Sequence, residues 1–172
     1  MNDKSEWLYI GDDENYRFAL GKPRKNNLVI IGLNPSTATP DRPDPTIRRI
    51  EKIAGMLSYD GWIVINLCAV RTPKPDELPM KLDGEISEKN IKTIAKLQKE
   101  YYFGAVYAAW GSGIEKRFYL LDECQKIADV IKTECWYTRG MTQYGHPKHP
   151  LYVPYTQGVE PFAVQDYIWS FE

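Results

Sequence analysis

The chain has 172 residues, enough for one domain with a real core and too few for two comfortable ones. Its 43% hydrophobic and 26% charged residues, with 12 Gly and 12 Pro, exclude a disordered tail, a collagen-like fibre and a disulfide scaffold. With 22 Lys+Arg against 23 Asp+Glu the net charge is −1, so no global attraction to nucleic acid or to an anionic membrane follows.

Met1 to Asp13 is polar and acidic, with no apolar run of the kind that opens a secretory leader. No stretch approaches the roughly 20 apolar residues that cross a bilayer. Cys68, Cys124 and Cys135 are widely spaced and odd in number, which fits neither a metal site nor a disulfide framework. A reduced, cytoplasmic protein without membrane contact is the expectation. Aromatic residues are abundant, with 12 Tyr and 5 Trp, and offer flat surfaces for stacking as well as core filling.

Trp7 to Ile10 and Tyr16 to Leu20 read as a hairpin around an acidic turn. Leu28 to Leu33 is continuously apolar, as a strand buried on both faces must be. Asp44-Pro45 then predicts a helix start, and Ile47, Ile50, Ile53, Ala54 and Leu57 share one face of that helix. Trp62 to Leu67 is a second buried strand. Ser87 is expected to cap a helix that buries Ile91, Ile94 and Ala95. Ala105 to Trp110 is a third strand, and after Gly111-Ser112-Gly113 a helix is expected with Ile114, Phe118, Leu121 and Ala128 on one side. Cys135 to Thr138 is a fourth strand, and Pro161 to Phe171 suits a short helix.

Strand and helix alternate, so the expected fold is α/β. It is a single domain over residues 1–172, a three-layer α/β/α arrangement around a mostly parallel four-stranded sheet with a short N-terminal hairpin. In such sheets functional loops gather at the carboxyl ends of the strands. That rule selects 33–44, 66–72, 110–113 and 138–152.

Three constellations stand in those loops. Gly32-Leu33-Asn34-Pro35-Ser36-Thr37 combines a close-approach glycine, a two-way amide and a rigid turn, and serves either a ligand or its own backbone. Asn66 ends an otherwise apolar strand. Its amide must meet either a neighbouring backbone group or the edge of a bound base. Gly145 to Tyr152 holds His146 and His149, the chain's two histidines. No Asp, Glu or Cys adjoins them, so no metal is expected, and a His held between prolines suits a hydrogen-bond donor. No phosphate-loop or nucleophile-elbow motif occurs. Gly111-Ser112-Gly113 is more simply a tight strand-to-helix turn than an anion site.

Leu33-Asn34-Pro35-Ser36-Thr37-Ala38, Asp44-Pro45-Thr46-Ile47-Arg48-Arg49, Val64-Ile65-Asn66-Leu67 with Arg71, Ala109-Trp110-Gly111 and His149-Pro150-Leu151-Tyr152 together resemble the DUF1643 family, whose function is uncharacterised. The resemblance spans about residues 16–153. That pattern is in turn similar to the uracil-DNA glycosylase superfamily, most of all to its mismatch-specific branch, whose first motif also carries Asn-Pro. The resemblance implies that Asn34 positions a water, Asn66 reads the base, Trp110-Gly111 follows, and His149 stabilises negative charge on the departing base. Gly32, Pro35, Ser36, Arg71 and His146 lie in the same loops and complete the substrate-side candidates.

The implied activity is hydrolysis of an N-glycosidic bond in a nucleoside or in single-stranded or modified nucleic acid, without a cofactor. Asn34 offers no general base, so a slow enzyme needing a good leaving group is expected. The alternative is a binding module that kept the pocket and lost the chemistry. His149-Pro150 runs straight into Leu151-Tyr152-Val153, where the glycosylases carry a Ser-Pro turn and an apolar wedge, so duplex substrates are not expected. Arg48, Arg49, Arg71, Arg139 and Lys148 are either a cationic lining of the site or solvated surface.

Overall fold

The computed structural model describes residues 6–172, and the polar start Met1 to Ser5 lies outside them. Among the described residues seven strands form one mixed sheet: β1 (Leu8–Gly11), β2 (Arg17–Lys22), β3 (Asn27–Gly32), β4 (Gly61–Asn66), β5 (Phe103–Ala108), β6 (Trp136–Thr138) and β7 (Glu160–Pro161). Their order across the sheet is β1-β2-β4-β3-β5-β6-β7. Strands β4, β3, β5 and β6 run parallel, while β1, β2 and β7 are antiparallel additions at the two edges. The sheet is thus wider than the four strands expected. The hairpin is part of it, because Leu20 to Lys22 pair with Trp62 to Val64.

The helices α1 (Pro45–Met56), α2 (Gly84–Glu100), α3 (Tyr119–Val130) and α4 (Val164–Ser170) cover both faces. Alternation along each strand sorts the core. Leu28, Ile30, Trp62, Val64, Ala105 and Tyr107 pack with Ile47, Ile50 and Ile53 of α1. Val29, Ile31, Ile63, Ile65, Val106 and Ala108 pack with Ile94 of α2, Leu120 and Ile127 of α3 and Ile168 of α4. No helix among the described residues is long and apolar enough to cross a membrane.

Two local expectations are corrected. Asp83, not Ser87, caps α2: its carboxylate accepts from the Glu85 amide at 2.8 Å. Ser87 instead lies inside the helix and donates to the buried Glu123 carboxylate of α3. After β5 the chain makes a 3-10 turn over Gly111–Lys116 before α3 begins at Tyr119. That turn throws Phe118 outward, 77% exposed, where helical periodicity placed it inside. Asp44 does cap α1, accepting from the Ile47 amide at 2.9 Å with Pro45 in the first turn.

Candidate functional site

Chain direction changes at β3. The connection after β3 leaves for the α1 face, and those after β4 and β5 leave for the other, so their carboxyl ends are where a sheet of this kind forms its ligand crevice. Gly32 and Asn66 are paired in register there, on the face that α1 covers. A Cβ on Gly32 would lie 2.8 Å from Asn66 Oδ1, so glycine is what lets the Asn66 amide lie against β3.

Asn66 is 3% exposed, and its Nδ2 has no hydrogen-bond partner. Of the other buried asparagines, Asn90 likewise leaves one amide atom, Oδ1, unpaired, while Asn27 does not. Asn27, at the opposite end of β3, accepts from the Arg24 amide and donates to the carbonyls of Arg24 and Tyr102. Asn27 closes a turn; Asn66 leaves a donor unspent.

Asn34 begins the next loop, where Pro35 is buried and Ser36 half-buried. The Asn34 Nδ2 donates to the carbonyls of Pro35, Val70 and Thr72 at 3.1, 3.2 and 3.0 Å. Those bonds tie the loop after β3 to the loop after β4, and the Thr72 amide adds a bond to the Pro35 carbonyl. With the nitrogen committed, Asn34 presents Oδ1, to which no described residue donates. A fixed acceptor of this kind can hold a water proton but cannot take it.

His149 belongs to the loop after β6 and packs beside Gly111, just past the end of β5. The Pro147 carbonyl accepts from the Gly111 amide at 2.8 Å, and the Lys148 amide donates to Gly140. The Leu151 amide donates to His149 Nδ1 at 3.2 Å, which leaves the proton of the neutral ring on Nε2. Burial holds this imidazole below its ordinary pKa, opposed by the Asp44 carboxylate at the start of α1. His149 is therefore a neutral donor fixed by its own turn. Just beyond it Leu151 and Tyr152 are 43% and 78% exposed, an apolar tip beside the crevice.

Trp110 and His146 sit elsewhere. Trp110 is 2% exposed and donates from Nε1 to Tyr167 Oη at 2.9 Å; that hydroxyl meets His146 Nδ1 at 2.7 Å. His146 stacks on Phe171, and its Nε2 lies 3.4 Å from Glu115 Oε1 without hydrogen-bond geometry. Both rings therefore anchor α4 to the loop that carries His149. Tyr167→Phe strands the buried Trp110 N–H and His146 nitrogen, at about 1–3 kcal/mol for each orphaned group. Denaturant unfolding of the variant is expected to show that loss.

The arginines also part company. Arg139, 2% exposed, donates from Nη2 to the carbonyls of Pro154, Tyr155 and Gln157, and Arg49 donates to the Val153 carbonyl while lying 4.1 Å over the Tyr155 ring. They are not solvated surface: they clamp the turn behind His149, and Arg139 Nη1 and Arg49 Nε remain buried without a partner. Arg71 donates to Tyr9 Oη and to the Asp12 carbonyl, latching the hairpin to the site. Sequence reading passed over Arg17, a charge within an apolar strand. Arg17 is 3% exposed, donates to the Ala38 carbonyl, and leaves Nε unpaired. Burial first, and the charge of Arg71 second, lower its pKa to about 10.

Among the described residues no three His, Cys, Asp or Glu side chains gather where a metal could bind. No curated protein and no solved structure matched the chain. One protein-family comparison did match: residues 17–151, which contain Asn34, Asn66 and His149, fit a family described as proteins of unknown function. The chain belongs to the DUF1643 family.

Proposed function

We propose that the chain hydrolyses an N-glycosidic bond to a nucleobase, in nucleic acid or a nucleoside, on a glycosylase-like fold. The unspent Asn66 donor carries this reading. A buried amide N–H without a partner costs about 1–3 kcal/mol, and a base edge presenting an acceptor removes that cost on binding. The pair of Asn34 and His149 supports the same reaction. Water held by Asn34 Oδ1 adds to the anomeric carbon, and the C1′–N bond breaks with its electron pair going to the base. His149 Nε2–H donates to the base oxygen where that charge collects. The water's proton leaves to solvent, since Asn34 cannot accept it.

One observation favours a second reading, a binding module without turnover: the Asn34 nitrogen is fully engaged by three backbone carbonyls and no carboxylate takes its place. Base release separates the two. Across a panel of uracil, hypoxanthine and modified-pyrimidine substrates, as nucleosides and as single- and double-stranded oligonucleotides, the wild type is expected to release base slowly from at least one member, and not from the duplexes. Absence of release from every one of them would overturn the enzyme reading.

A further inference from the structure

A cavity of about 600 Å³ opens between the N-terminal hairpin and the loop that follows Asn34. Its walls carry the rings of Trp7 and Tyr9, the hydroxyls of Thr37 and Thr39, and the guanidiniums of Arg42 and Arg71. The same two loops hold Asn34. Thr37 follows it by three residues, and Arg71 lies between Val70 and Thr72, whose carbonyls grip the Asn34 amide. An occupant of this cavity is therefore a close neighbour of whatever Asn34 touches.

The donors here are unspent. Arg42 bonds Thr39 through its backbone, while its exposed guanidinium makes no hydrogen bond or ion pair to a described residue. Arg71 uses Nη1 on Tyr9 Oη and the Asp12 carbonyl, so Nε and Nη2 are unbonded among the described residues. Arg17 adds a third cation behind Ala38, with its own unpaired Nε. Asp13 and Asp41 also line the cavity, and Asp12 and Asp44 act on Arg71 and Arg17 from beside it, so the guanidiniums offer directed donors without a large net positive charge. That balance suits one phosphate and disfavours a run of them.

The aromatic wall is equally specific. Two hydrogen bonds hold Tyr9 Oη, to the Asp12 carbonyl and from Arg71, so its ring is rigid, and it has no ring partner among the described residues. Trp7 stands edge-on to Trp62 with Lys22 over one face. A base stacks on a rigid ring of this kind only when it is free of a duplex partner.

Resting on the nucleobase reading above, we infer that this cavity seats the nucleotide adjacent to the one whose base enters at Asn66, with its phosphate on Arg42 and Arg71 and its base on Tyr9. The substrate class is then single-stranded nucleic acid and not a free nucleoside.

Fluorescence anisotropy of a fluorescein-labelled eight-residue oligothymidylate tests this without requiring turnover. Arg42→Ala, a change at an exposed side chain, is expected to weaken binding about tenfold, in the range of one charge-assisted hydrogen bond. It also lowers the slope of log affinity against log salt by about 0.7. Arg42→Glu weakens binding further, and a neutral methylphosphonate linkage in the oligonucleotide reproduces the Arg42→Ala loss. Oligonucleotide binding that is indifferent to Arg42, or base release from free nucleosides with no oligonucleotide binding, would overturn the inference while leaving the hydrolase reading intact. Arg42-dependent binding with no base release from any substrate supports this cavity and overturns the hydrolase reading instead.

Discussion

Replacing His149 with alanine is expected to lower base release about 10²–10³-fold, the loss typical of removing one preorganised donor to developing negative charge. The geometry makes this a clean change. The ring is held by the Leu151 amide at Nδ1, and the turn that carries it is clamped independently by Arg49 and Arg139. Removing the imidazole therefore leaves the loop in place. The loss belongs in kcat, with KM little changed, because the donor acts on charge absent from the ground state. His149→Asn restores an acceptor for the Leu151 amide, while its own Nδ2 donor stops short of the position of the imidazole Nε2. Recovery of stability without recovery of rate in that variant separates the electrostatic role from a structural one. Equal rates for wild type and His149→Ala would remove His149 from the mechanism.

Asn66→Leu is expected to act in opposite directions on stability and on binding. The substitution removes a buried N–H with no partner and replaces it with an apolar group of similar shape against Gly32. Relief of that orphan is worth about 1–3 kcal/mol. In a chain of this length each kcal/mol moves the melting midpoint by about 2–4 °C. Calorimetry is therefore expected to show a rise, while base release or base binding disappears. The corresponding change at Asn27 has the opposite sign, because Asn27 spends both side-chain groups on backbone partners. A melting point that falls in Asn66→Leu would assign Asn66 to the architecture and leave the crevice without its reader.

Most of the core was legible because its elements are locally determined. Leu28 to Ile31 and Trp62 to Ile65 are apolar on both faces, which only a covered strand tolerates. Asp44-Pro45 satisfies the first amides of α1 by itself. Where local signals competed, reading failed. Ser87 is a good cap residue, yet Asp83 lies one turn earlier and won the position, which freed Ser87 to bond Glu123 across 36 residues. Phe118 fits a helical face only if the helix starts at Ile114; the 3-10 turn from Gly111 to Lys116 shifts the register and turns it outward.

The candidate site divides along the same line. Gly32, Asn34 and Asn66 could be singled out by the sequence itself, because they break or follow buried apolar runs, and His149 because it is one of the chain's two histidines and is held between prolines. Whether each demand is met by the protein is a tertiary matter. Trp110 and His146 found Tyr167, a residue 57 and 21 positions away, and Arg139 found the carbonyls of a turn. Asn66 found nothing at Nδ2. Sequence determined which residues stand at the carboxyl ends of the strands, because periodicity and caps act over a few neighbours. Tertiary structure alone decided which of them keep an unspent hydrogen bond, because that depends on partners brought together only when the sheet and its loops close.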